Sequence, residues 1–210
     1  MYILLSVLAV FLILSASEIG WRKRWFSNDS EIGRKFVHIT VGSFVAFWPF
    51  FLSWNEIRLL SVAFLIVVAV SARFKLFRAI HSVQRPTFGE ICFAMVVGAL
   101  TFITRSKGIY AAALLQMSVA DGLAAVIGTR LGRKNTYQVF GHAKSVVGTL
   151  TFFVTATLIL SGYSLLSVKG LAVSGVVLGA LGGAIVENVA VLGLDNLIVP
   201  LFIGLLLTSA

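Results

Sequence analysis

The stretch IYAAALLQMSVADGLAAVI, residues Ile109–Ile127, decides the fold. It is a long apolar run with one charged residue, Asp121, and its length is that of a helix crossing the hydrocarbon core of a bilayer, about 20 residues. Outward from it, further apolar runs fall at Tyr2–Ser17, Phe36–Leu52, Ile57–Ala72, Phe88–Thr104, Val146–Leu160, Leu171–Val186 and Leu197–Leu207. The fourth and eighth runs are short, and the eighth contains Pro200. Val189–Leu194 is apolar enough to lie partly in the membrane, so seven spans with a re-entrant piece stand beside eight spans. The fold expected is all-α, a polytopic integral membrane helical bundle of seven to eight transmembrane helices in one domain, 1–210.

Composition agrees with this reading. Of 210 residues, 59% are hydrophobic and 12% charged, with a mean hydropathy of +1.00. Soluble domains hold about 45–50% apolar residues. The net charge of +9 does not point to nucleic acid, because the basic residues sit in short loops between apolar runs, where they orient spans among membrane lipids. Thirteen of the 17 Lys and Arg residues follow spans one, three and five, from Arg22 to Lys144, and only Arg58, Arg105, Lys107 and Lys169 lie opposite. Those odd-numbered loops are expected in the cytoplasm, and with eight spans both termini lie outside. Ser15-Ala16-Ser17 resembles a signal-peptide cleavage site, but no basic region precedes the run and positive charge follows it, which favours a retained span. Cys92 is the single cysteine, which excludes an intrachain disulfide and a cysteine-based zinc site.

Four polar clusters fall on the expected cytoplasmic side. The first runs from Ala120-Asp121-Gly122 through Gly128, Arg130, Gly132, Arg133 and Lys134 to Lys144-Ser145, Gly148 and Thr149. An intramembrane aspartate costs about 2.5–3.5 kcal/mol at a helix centre and calls for a partner, a cavity or a metal. Glycines that let backbone N–H groups approach phosphate, with cations beside them, make 121–149 a candidate polyphosphate-binding segment. It is not a Walker A loop, since Gln138 and Ala143 stand where that motif needs glycine. Gly128 and Gly132 equally suit a close helix contact.

The second cluster is Glu31, Arg34, Lys35 and His38, where Glu31–Lys35 and Arg34–His38 are spaced as helical i,i+4 pairs. His38 reads either as a proton acceptor for a hydroxyl or as an interhelical hydrogen bond. The third is Arg85 to Glu90, a helix start with Glu90 in its first turn. The fourth comprises Glu187, Asn188, Asp195 and Asn196, whose carboxylates lack basic neighbours in sequence and so face distant cations or a divalent metal. Gly175, Gly179 and Gly183 recur every four residues and read as helix packing.

On Arg34-Lys35-Phe36-Val37-His38, Arg85 through Glu90, Asp121 through Thr149, and Leu194-Asp195-Asn196 with Pro200, the chain resembles the polyprenol kinase family, which includes dolichol, phytol and CTP-dependent diacylglycerol kinases. The resemblance implies transfer of the terminal phosphoryl group of a nucleoside triphosphate, often CTP, to the hydroxyl of a lipid alcohol, with magnesium. It assigns Asp121, with Glu187 or Asp195, to the metal. Lys144, Arg130 and Lys134 go to the phosphates, with Arg34, Lys35, Gly122, Gly128, Gly132, Ser145, Gly148 and Thr149 around them. Asp121, His38 and Lys144 are the catalytic candidates, the base being His38 or Asp121. Arg85, Glu90, Asn188 and Asn196 are further polar candidates. A cytidylyltransferase would also bind CTP and magnesium, but the Lys-Asp and His-Gly-Gly signature followed by Asp-Arg is missing. A small transporter would fit embedded acids, yet these acids lie toward one face instead of the midplane.

Overall fold

The computed structural model describes residues 1–22, 30–74, 88–168 and 170–210. Among them are eight helices: α1 Tyr2–Arg22, α2 Ser30–Ala46, α3 Trp54–Phe74, α4 Gly89–Ile103, α5 Lys107–Leu131, α6 Val146–Leu166, α7 Val173–Val189 and α8 Asp195–Ser209. Each coincides with one of the expected apolar runs. By length and composition, α1, α5 and α6 suffice to cross a membrane, whereas α4, α7 and α8 are apolar but shorter. At 15 residues, α4 and α8 reach only about 22 Å at 1.5 Å per residue. Val189–Leu194, expected to lie partly in the membrane, is a tight connection between α7 and α8.

Local chemistry sets the helix starts. Ser53 and Glu56 form a capping box at α3: the Glu56 N–H donates to Ser53 Oγ at 3.3 Å, and the Ser53 N–H donates to Glu56 Oε2 at 2.7 Å. Ser106 accepts from the Ile109 N–H at the head of α5, and Ser145 from the Gly148 N–H at the head of α6. Pro49 lies in the first turn of the 3₁₀ segment Trp48–Phe50, which separates α2 from α3.

Helix α5 is the hub. About two-thirds of its apolar window is buried, 67% against 17% for α1, because α2, α6 and α8 all pack on it. Around this centre α1 lies against α2, α3 against α4, α4 against α8, and α7 between α6 and α8. Close approach is achieved by small residues: Gly42 faces Ser118, Gly98 faces Ser61, and Gly122 faces Ile39. Gly179 meets Leu160 and Leu206, and Gly183 meets Phe152, as expected of packing glycines, whereas Gly175 meets only Leu171.

Two features depart from a plain bundle. Within α5 the turn Gln116–Ala120 is a π-bulge, in which the Asp121 N–H bonds to the Gln116 carbonyl five residues back. Between α5 and α6, where a glycine-rich loop was expected in an all-α chain, a hairpin of β1 Thr136–Val139 and β2 His142–Ser145 forms. Its register pairs Thr136 with Ser145, Tyr137 with Lys144 and Val139 with His142. Phe140 and Gly141 both take positive φ, 47° and 77°, the pattern of the two-residue turn whose twist suits a hairpin.

Candidate active site

The polar clusters separated in sequence converge where α2, α4 and α8 begin, α7 ends and α5 widens. Gly122 lets α5 approach Ile39 of α2 closely, and one turn earlier on α2 Lys35 reaches Asp121. Lys35 Nζ donates to Asp121 Oδ2 at 2.7 Å, and both residues are buried. The sequence spacing had paired Lys35 with Glu31, whose side chain lies outside the described residues. Its observed partner is 86 positions away.

His38 stands beside this pair, with Nε2 3.7 Å from Asp121 Oδ2. The same nitrogen lies 3.1 Å from the Met117 carbonyl, which belongs to the π-bulge. A carbonyl only accepts, so Nε2–H donates in this contact and His38 makes an interhelical hydrogen bond. Its ring meets Phe93 edge-on at 5.7 Å.

The hairpin supplies the second lysine. Tyr137 and Lys144 are cross-strand partners and therefore share a face, and that face meets the C-terminal end of α7. Lys144 Nζ donates to the Glu187 carboxylate and, at 3.0 Å, to the Glu187 backbone carbonyl. That carbonyl is among those a helix end leaves unpaired, where a cation is favoured. Next to it the Tyr137 hydroxyl donates to Asn188 Oδ1, and Thr149 Oγ1 also lies within reach of it at 3.3 Å.

Asp195 completes the cluster. The connection after α7 turns through Leu192 and Gly193 at φ 61° and 88° and docks on α4: the Phe88 N–H donates to the Leu192 carbonyl at 3.0 Å, and Asn196 Nδ2 donates to the Gly89 carbonyl at 3.0 Å. This places Asp195 in the first turn of α8, facing Asp121 and Glu187. One carboxylate oxygen from each of the three lies within 4.8 Å of the others. Two lysines thus meet three carboxylates. Among the described residues Asp195 has no lysine or arginine at ion-pair distance, so an oxygen-only donor set with surplus negative charge fits a hard divalent cation such as magnesium.

Other candidates are placed as follows. Gly128, Gly132 and Gly148 surround Ser145 Oγ so closely that a Cβ at any of them would collide with it, which gives all three a packing explanation. Arg130, Arg133 and Lys134 are exposed at the end of α5. Arg34 lies beside Gly89, and Glu90 lies in the first turn of α4. Arg85 lies outside the described residues. Tyr137, the Met117 carbonyl and the buried Gln116, whose Nε2 donates to the Ala156 carbonyl at 3.1 Å, were not singled out from sequence. Gln116 alone had a signal there, as a polar residue inside an apolar run.

Over 184 residues the chain is 36% identical to a phytol kinase from a Synechocystis species, an overlap of 83% of this chain and 77% of that protein. The chain belongs to the polyprenol kinase family. Its members are membrane enzymes of lipid metabolism that phosphorylate lipid alcohols. No sequence-family profile and no solved structure matches the chain. Carboxylates flanked by lysines are the kind of groups that can hold a metal and cations around phosphate oxygens in phosphoryl transfer.

Proposed function

We propose that this chain transfers the terminal phosphoryl group of a nucleoside triphosphate, CTP favoured, to the hydroxyl of a membrane-resident alcohol at the cytoplasmic face. Among polyprenol, phytol and diacylglycerol-type acceptors, phytol is favoured by the related phytol kinase. The observation that carries the reading is the meeting of Asp121, Glu187 and Asp195 with Lys35 and Lys144 at one junction of apolar helices. Phosphoryl transfer needs little covalent chemistry from the protein, only positioning and charge stabilisation. The alcohol oxygen bonds to the terminal phosphorus as the bond to the leaving diphosphate oxygen breaks. The hydroxyl proton passes to Asp121, the carboxylate at the junction, while the His38 Nε2–H stays with the Met117 carbonyl. Magnesium held by Asp121, Glu187 and Asp195 would neutralise charge on the phosphate oxygens. Lys35 and Lys144 face the same phosphates, with Arg34, Arg130 and Lys134 and the Ser145–Thr149 helix start as outer contacts.

The test is label transfer by purified protein in detergent. Label from γ-labelled CTP is expected in the phosphorylated alcohol, and label from α-labelled CTP is not. The opposite pattern identifies a cytidylyltransferase, and transfer from ATP at equal rate removes the preference for CTP.

A further inference from the structure

A cleft adjoins the carboxylate cluster on the far side of His38. Its apolar walls come from three helices, with Val10 and Leu14 on α1, Val37 and Val41 on α2, and Phe64 and Val68 on α3. The Phe93 ring of α4 lines it as well, and the cleft is open on one side. The polar lining groups, Arg34, Glu90 and Asn196, come from the starts of α2, α4 and α8, with His38 one turn further in. Deeper along α2 and α4, Val41 and Phe93 succeed them. The cleft is therefore polar at one end and apolar beyond. Val67 on its rim is 52% exposed, so the apolar part opens sideways to whatever surrounds the helices, which in a membrane is hydrocarbon.

We propose that this cleft receives the first part of the alcohol's chain and delivers its hydroxyl to Asp121, an inference that rests on the lipid-alcohol kinase reading above. His38 belongs to both sites: it lines the cleft, and its Nε2 is 3.7 Å from Asp121 Oδ2. A hydroxyl at the polar end thus arrives beside the carboxylate cluster without leaving the protein. An apolar-walled space does not retain water well, and among the described lining residues a nucleotide's phosphates would find Arg34 as the one Lys or Arg side chain. From Arg34 to Val41 the walls run seven residues, about 10 Å along α2. The protein consequently grips the alcohol near its hydroxyl and leaves the rest of the chain to the bilayer. Selection then acts on chain thickness and branching close to the hydroxyl, and total chain length matters little.

The test uses the full chain in nanodiscs and a phytol analogue with a diazirine on its hydroxyl-proximal half, without nucleotide. Labelling is expected on α1, α2 and α3 residues that line the cleft and is expected to be competed by phytol. Label that phytol does not displace, or that falls on outward-facing Leu158 and Leu178, overturns the proposal. In the kinase assay, Leu14→Trp and, at the rim, Val67→Trp are expected to raise KM for phytol about tenfold with KM for the nucleotide unchanged. Unchanged KM for phytol in both variants overturns it too. Thermal stabilisation by magnesium and CTP checks that each variant is folded. Cleft labelling in a protein that phosphorylates no alcohol would refute the kinase reading and keep the lipid site; active protein labelled elsewhere would do the reverse.

Discussion

Lys35 carries its ammonium into a helix interface, where Asp121 balances it at 2.7 Å, and the surplus of carboxylates around the pair makes its two halves unequal. Lys35→Met leaves three carboxylates facing one lysine, and breaking a buried pair in this way costs about 3–5 kcal/mol. Asp121→Asn leaves two carboxylates with two lysines, a balanced set. Thermal unfolding in detergent is therefore expected to show Lys35→Met strongly destabilised and recovered by millimolar magnesium, with Asp121→Asn close to the unmodified protein. Phosphoryl transfer, in contrast, is expected to fall about 100-fold or more in Asp121→Asn, the scale of losing a proton acceptor. Equal destabilisation of the two variants would mean that the carboxylates do not share a field. His38→Gln preserves a donor for the Met117 carbonyl, so transfer is expected to stay within about tenfold of the unmodified rate, whereas a catalytic base would lose at least about 100-fold. The sequence exposed Asp121, Glu187 and Asp195 as costly residues in apolar surroundings. It did not expose their partners, because Lys35–Asp121 and Lys144–Glu187 span 86 and 43 positions and no local periodicity records such a distance.

The connection 190–194 and the hairpin turn each contain a glycine at positive φ, and their surroundings separate two kinds of cost. At Gly193 (φ 88°) a Cβ would lie 2.5 Å from the Gly89 backbone nitrogen, while at Gly141 (φ 77°) it would meet nothing. Gly141→Ala is expected to cost about 1 kcal/mol, from backbone strain alone. Gly193→Ala is expected to cost more, at least about 2–3 kcal/mol from strain and collision together, and to lower phosphoryl transfer because the same connection places Asp195. Thermal unfolding and initial rates on both variants check this ordering. Apolar runs announced every helix among the described residues, since length and hydropathy suffice for that. The hairpin was not legible: its turn is Phe140-Gly141 and not a typical Asn-Gly, and Tyr137 and Lys144 owe their register to contacts with α7. The π-bulge carries no propensity signal either.

On the scale of the whole molecule, α2, α4 and α8 start at the end of the bundle where α7 finishes, the end that the basic loops lead one to expect in the cytoplasm. A reporter fused after Ala210 is expected to read as non-cytoplasmic, and a cytoplasmic signal would require an odd number of crossings. The proposed phosphoryl transfer needs this orientation, since a nucleotide site open to the outer side would have no triphosphate pool. One feature of α5 reaches beyond the folded chain. The widened turn Gln116–Ala120 sets the angular phase between the first half of the helix and Asp121. Each residue advances a helix by about 100°, so loss of a single codon anywhere in this turn would preserve a span of nearly equal length and hydropathy while swinging Asp121 away from Lys35, Glu187 and Asp195. The turn buried at the hub of the bundle is thus also the one least able to survive a change in residue number.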